Sequence, residues 1–302
     1  MHGEMLLALI QSGISSYPHR TVVMQFFETV VRYSDFFRIR KECIMPTLEA
    51  MVDTRCLQPH FFCCLSLIVG SLCSGIHNES SIVRARAYYL FHRFVKELKS
   101  DLPIDVAIKI TDSIRDLLQI QVELSEMDDL PQHEVLAQAA ANPGIFDSQL
   151  YLYETAGILV SSLWKAPEQQ VAVLQSIVKP LLDELSISFE EATKGTPDVV
   201  TILKIHHIIM ALGNIAKGFP DCPSPVPAGF SFPPLECFTQ VAQAILVCLE
   251  AMNIYQVVRD AVRVVLPCSQ FVLSIDIPSR HVLHLPELWR RLVRMLPISS
   301  LL

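Results

Sequence analysis

SSIVRARAYYLFHRFVKELKS, residues 80–100, contains no Gly or Pro, and its apolar residues recur at helical spacing. Val83, Ala87, Leu90, Phe94 and Leu98 step by three or four, which places them on one face of an α-helix. At roughly 100° per residue, Arg86, Tyr89, Arg93 and Lys96 gather on the other side. One face must pack on further helices while the other offers positive charge and an aromatic ring. Ser80 and Ser81 are candidate N-caps, and Lys96 and Lys99 suit the negative end of the helix dipole. Most of the chain repeats this unit with variations.

The composition agrees. Of 302 residues, 51% are hydrophobic and 18% charged, which excludes general disorder. Ten Gly are few for a fold built on phosphate loops and tight turns, and Leu, Ala, Val and Ile dominate without alternation. The net charge of −7 argues against a surface that holds nucleic acid everywhere, but it leaves room for a local basic patch. Nine Cys, an odd number, and the lack of a basic n-region before MLLALI point to reduced thiols in a nuclear or cytosolic setting.

Along the chain, helices are expected at Met5–Ile14, at His19–Ser34 with Val23, Phe26, Phe27, Val30 and Val31 as its stripe, and at Arg40–Met51 with a kink at Pro46. Asp35-Phe36-Phe37 reads as a tight connection. Further helices are expected at Ile104–Gln121, at Ser148–Leu163, at Glu168–Glu191 with Pro167 at a first helical position and a kink at Pro180, and at Asp198–Lys217, the last capped by Asp198. Leu235–Met252 and Asn253–Leu266 form one more pair. Ser125–Pro143 is acidic and reads as an exposed loop with a helical turn at Glu134–Ala141. Gly218–Pro234 is a Pro-rich loop, and in the tail only Leu285–Met295 reads as helix. ARAYYLFHRFVKEL, LYETAGILVSSL and IIMALGNIAKGF each set a small residue (Ala87, Ala156, Ala211) before a long apolar stripe. Helix pairs of this size fit HEAT-type repeats.

Cys56–Ser74 carries no charged residue and holds four of the nine Cys. Its length and apolarity make it a membrane-spanning candidate, against which stand Pro59, His60 and the scarcity of flanking basic residues. The spacing of Cys56, His60, Cys63, Cys64 and Cys73 lacks the paired knuckles of a structural zinc site. No phosphate-loop, dinucleotide, nucleophile-elbow or metalloprotease motif occurs, so no catalytic residue, cofactor or metal is indicated. His206 and His207 are adjacent and are expected to point to different sides of their helix, as core or solvent groups rather than ligands. The candidates by charge are therefore Arg38, Arg40 and Lys41, at a turn entering a helix, and Arg84, Arg86, Arg93 and Lys96 with Tyr89. They are either a solvated face or phosphate contacts, with Tyr89 against a sugar or base.

MHGEMLLALIQSGISSYPHRTVVMQFFETVVRYSDFF (1–37), RKECIMPTLEAMVDTR (40–55), SSIVRARAYYLFHRFVKELK (80–99) and QLYLYETAGILVSS (149–162) resemble the central part of the exportin-T family, karyopherins that carry tRNA out of the nucleus. The likeness covers roughly 1–55 and 75–266. It implies an all-α fold, an α-α superhelix of HEAT repeats truncated at both ends, without enzymatic activity. It also implies partners: tRNA, bound cooperatively with Ran-GTP, and nucleoporins, in a receptor that shuttles between nucleus and cytoplasm and uses no membrane. The main Ran contacts would lie in a preceding amino-terminal part, which makes Met1 an internal methionine. Cys56–Ser74 falls between MVDTR and GIHNESS, which run on directly in the family, so it reads as an apolar insertion of intron origin. Residues 267–302 read as a non-matching tail. The alternative to a tRNA carrier is a HEAT-repeat scaffold that binds only proteins.

Overall fold

The computed structural model describes residues 2–17, 19–52, 75–78, 80–122, 124, 130–221, 234–268 and 271. Among these, every regular element is helical and none is a strand, the all-α class that the periodicity predicts. Among the described residues the helices begin with α1 (His2–Gln11), α2 (Arg20–Arg32), α3 (Asp35–Ile39), α4 (Ile44–Met51), α5 (Ser81–Leu98) and α6 (Ile104–Ser113). They are followed by α7 (Gln132–Ala141), α8 (Ile145–Ser161), α9 (Pro167–Lys194), α10 (Val199–Lys217), α11 (Leu235–Met252) and α12 (Gln256–Val265). Two compact units are formed, Met1–Gln119 with Asp147–Leu163, and Ile120–Phe146 with Trp164–Leu302.

In the first unit α2 packs on α5, and so does α4. The stripe of α2 that its period selects, Val23, Phe26, Phe27, Val30 and Val31, is the set that is buried. On α5, Ala87, Leu90, Phe94 and Leu98 are buried, and so are Tyr88, Phe91, His92 and Val95, while Val83 is only half-buried. Phe37 meets Phe94 edge-on at 4.9 Å, a geometry that matches the ring quadrupoles. Ser80 takes the N-cap position without side-chain capping; its N–H instead donates to Asn78 Oδ1 at 2.9 Å. From α8, the Tyr153 hydroxyl donates to the carbonyl of Leu118 at 2.9 Å and Gln149 Nε2 to that of Gln119 at 2.9 Å. They satisfy carbonyls that the short turn Arg115–Leu118 leaves exposed.

Three expectations need correction here and in the second unit. Asp35–Phe37 is not a bare connection but opens α3, held by the buried Phe37 and by Asp35 pairing with Arg38 at 2.7 Å. Arg40–Met51 is not one kinked helix: a 3-10 turn, Lys41–Cys43, precedes α4. Pro46 is the third residue of α4, where its missing N–H would have had no partner, so no kink is needed. Glu134–Ala141 is more than a turn, because α7 is a full helix that buries Leu136 and Ala139. Cys56–Ser74, residues 125–129, most of the Gly218–Pro234 loop and Leu285–Met295 lie outside the described residues.

In the second unit, α9 packs on α10 and α11, α10 on α7 and α12, and α11 on α12. The pairs α9–α10 and α11–α12 are thus each joined by a short link and laid side by side, consistent with the helix pairs of HEAT-type repeats. Pro167 opens α9 at its first position, where a proline is pre-set for helix, and α9 continues unbroken through Pro180. Val199–Lys217 and Leu235–Met252 are long and apolar enough to cross a membrane, but 61% and 50% of these windows are buried within the fold. The small residues Ala211, Gly213 and Ala216 of α10 are buried. At Gly213 a methyl would lie 2.9 Å from Val265 Cβ and closer still to its γ-methyls, so α12 approaches α10 almost backbone to side chain.

Two outcomes follow from α10. Gly213→Ala is expected to lower stability by about 1–3 kcal/mol, because the stiff, buried Val265 cannot swing aside; a urea midpoint measures this. Asp198 accepts the Thr201 N–H at 2.7 Å, and this bond holds its carboxyl below the ordinary carboxylate range. Asp198→Ala should cost about 1 kcal/mol at neutral pH. A lowered folded pKa gives stability that is full above the unfolded value and disappears as pH falls through the folded one. The wild-type and Asp198→Ala midpoints should therefore converge in acid.

Candidate nucleic-acid interface

A cleft of about 300 Å³ runs between α2 and α5, lined by Glu28, Val31, Arg32, Arg86, Tyr89, Leu90 and Arg93. Its position follows from packing. Val31 and Leu90 are buried in the contact of the two helices, so the polar residues one step round each helix are left facing the cleft. Arg86, Tyr89 and Arg93 stand at i, i+3 and i+7 on α5, one stripe of a 3.6-residue helix. On α2, Glu28 and Arg32 are one turn apart.

The charges are arranged unevenly. Arg86 sends Nε and Nη2 to the same oxygen of Glu28, at 3.1 and 2.7 Å. Both side chains are partly exposed, at 49% and 32%, and such a pair contributes only about 0–1 kcal/mol. Arg32 and Arg93 are exposed, and among the described residues neither makes an ion pair. Tyr89 is half-buried, edge-on to Tyr151 at 5.4 Å, with the guanidinium carbons of Arg86 and Arg93 at 5.3 and 5.9 Å from its ring centroid. Three guanidiniums thus face one carboxylate. Planar forks of this kind match phosphate oxygens two at a time.

The other charge candidates do not join this cleft. Arg84 donates to the carbonyl of Asn78 at 3.1 Å. Lys96 reaches across to Glu154 of α8 at 3.0 Å, a carboxylate only 6% exposed. Arg38 pairs with Asp35 at 2.7 Å and donates to the carbonyl of Glu97 at 3.3 Å. Arg40 pairs with Glu42 at 3.2 Å and Lys41 with Asp101 at 2.9 Å. The hydrogen bond from Lys41 holds the Asp101 carboxyl below its ordinary range. Arg38 and Lys41 therefore form a second group beside the C-terminal end of α5, already matched by acids.

Arg32 is the cleft residue that sequence reasoning missed. Its signal is spacing alone, since it ends α2 four residues after Glu28, and a charge beside an apolar stripe does not tell which neighbour it will face. The pairing of Glu28 could not be foreseen from that spacing. It turns to Arg86 across the cleft instead of to Arg32 on its own helix.

The histidine pair lies in the second unit, and the expectation for it also needs correction. Neighbouring residues are separated by about 100°, not 180°, and the two rings meet, Nδ1 to Nδ1 at 3.0 Å. His207 is buried and stacks on Phe146 with centroids 3.9 Å apart, a satisfied core position. Burial lowers His206 to about 4, partly opposed by Asp260, and lowers His207 to about 3, helped by His206. Both are neutral at pH 7. Among the described residues no group of three or more His, Cys, Asp or Glu could hold a metal ion.

Comparison with known proteins adds the lineage. The family model described as Exportin-T matches residues 2–289, a span that crosses Cys56–Ser74 and runs on past Leu266. The chain is 56% identical over 262 residues to Exportin-T of Laccaria bicolor and 51% identical over 263 residues to Exportin-T of Coprinopsis cinerea, with 87% of this chain covered in each case. Exportin-T of Mycosarcoma maydis is 37% identical over 263 residues. The chain spans about 23% of the length of the first two of these curated relatives. Its helices, its quoted motifs and this match agree: the chain belongs to the exportin-T family.

Proposed function

We propose that this chain is a segment of a non-enzymatic, karyopherin-type nuclear export receptor that binds tRNA cooperatively with Ran-GTP and shuttles between nucleus and cytoplasm. The observation that carries the reading is the α2–α5 cleft, where three guanidiniums gather in a family member whose net charge is −7. An acidic chain that holds a polyanion needs such a local site, and RNA duplexes are recognised by backbone and shape. Ran-GTP would make its main contacts in a part of the receptor outside this chain, and nucleoporins would guide passage through the pore. Two partners that favour the same conformation tighten each other by equal factors.

The second reading, a protein-binding helical scaffold, is favoured by the pairing of Arg38, Arg40, Lys41 and Lys96 with acids. Anisotropy titration of fluorescent tRNA against the purified chain, with and without Ran-GTP, separates them. The export reading expects log affinity to fall with log salt at a slope of about −2 to −3, for roughly three phosphates. Binding that ignores salt, or none at any salt, favours the scaffold.

We also propose that residues 56–74 interrupt a fold that closes without them. Met51 at the end of α4 already accepts the N–H of Ile76 at 3.0 Å, so the chain on both sides of the stretch meets there. Deletion of 56–74 leaves Asp53, Thr54 and Arg55 to span the link, and it should preserve far-ultraviolet helicity per residue and the urea midpoint. Loss of the cooperative transition on deletion would make the stretch part of the core.

A further inference from the structure

We infer that the α2–α5 cleft is a site for two to three adjacent backbone phosphates, held chiefly by Arg32 and Arg93, in which Tyr89 positions the guanidiniums and Glu28 competes with the ligand for Arg86. The inference rests on the reading of this cleft as facing an RNA backbone, and it assigns each of its residues a distinct part.

Arg32 and Arg93 come from the two walls of the cleft and keep their donors unspent among the described residues. A phosphate between them would accept from both helices at once, which one wall alone cannot supply. Arg86 is differently placed. Its fork is filled by Glu28, in an exposed pair weak enough for a phosphate oxygen to displace. The same carboxylate lines the cleft and repels any anion there, so Glu28 lowers the affinity that the three cations would otherwise give.

Tyr89 is not free to stack a base. Arg86 and Arg93 already lie over its ring at 5.3 and 5.9 Å, and its edge contact with Tyr151 half-buries it. A nucleobase on this ring would have to displace a guanidinium from a cation–π contact and give up a phosphate ligand with it. The ring therefore acts as a rail that holds two flexible side chains toward the cleft, and the site reads charge rather than sequence.

The test uses the full chain with two probes, tRNA and inorganic pyrophosphate, and the variants Arg32→Ala, Arg93→Ala, Glu28→Gln, Tyr89→Phe and Tyr89→Leu, each checked for unchanged helicity. Arg32→Ala and Arg93→Ala should each weaken tRNA binding about tenfold and flatten the salt slope by about one. Glu28→Gln should tighten it severalfold. Tyr89→Phe should bind as the wild type and Tyr89→Leu more weakly, for pyrophosphate as well as for tRNA. A Tyr89→Leu loss confined to tRNA would make the ring a stacking platform and overturn its assignment. Salt-dependent tRNA binding that ignores Arg32, Arg93 and Glu28 would remove the site and leave the export reading standing. Pyrophosphate binding that needs Arg32 and Arg93, without any tRNA binding, would keep the site and remove the export reading.

Discussion

The rotation of α5 about its own axis is the constraint on which the first unit depends. Phe91 and Phe94 are wholly buried, and Phe37 closes edge-on against Phe94. Each such side chain contributes about 1.5–3 kcal/mol by leaving water. Turning α5 by one residue, about 100°, would bring Arg93 into the place of a phenylalanine. A buried unpaired guanidinium costs more than any surface ion pair could return. The core therefore aims the stripe of Arg86, Tyr89 and Arg93 at the cleft, where the Tyr89 ring lies against both guanidiniums.

The same packing decides which cations stay available. Lys96 lies one turn beyond Arg93, yet α8 sets the nearly buried carboxylate of Glu154 in its reach, and a buried charge must be matched. Lys41 and Arg38 meet acids at the far end of α5. Arg32 and Arg93 face only each other's wall and a carboxylate already engaged by Arg86. Charge in the sequence is thus a poor guide to charge on offer. Acids distant in sequence, Glu28, Asp101 and Glu154, engage Arg86, Lys41 and Lys96.

What could be read from the chain alone was whatever one helix decides. The stripe of α2, the Asp198 cap of α10 and the proline that opens α9 are local choices, and they stand in the structure as the period and the capping rules imply. What escaped was set by contacts between elements. The buried Phe37 makes α3 a helix, the lone pairs of Leu118 and Gln119 recruit Tyr153 and Gln149, and Val265 requires a glycine at 213. The histidines escaped for a simpler reason, since a 100° step lets flat rings of neighbouring residues touch. For the candidate site, Tyr89, Arg86 and Arg93 were legible as a stripe, whereas Arg32 and the turn of Glu28 depend on α2 and α5 meeting side by side.

A cleft of this size sets a bound on what the segment can do by itself. At physiological salt the Debye length is about 8 Å, so the cations of the cleft act on phosphates within reach, and the acidic surface farther off is largely screened. Net charge of −7 is therefore compatible with holding RNA, but two or three neutralised phosphates release few counterions and give weak binding. A receptor made of such sites gains strength only when several clefts engage one rigid RNA together, or when a second ligand stabilises the conformation that aligns them. The weakness is useful to a carrier on the proposed reading. A site held by exposed guanidiniums, with Glu28 ready to reclaim Arg86, gives up its phosphate as soon as the alignment is lost.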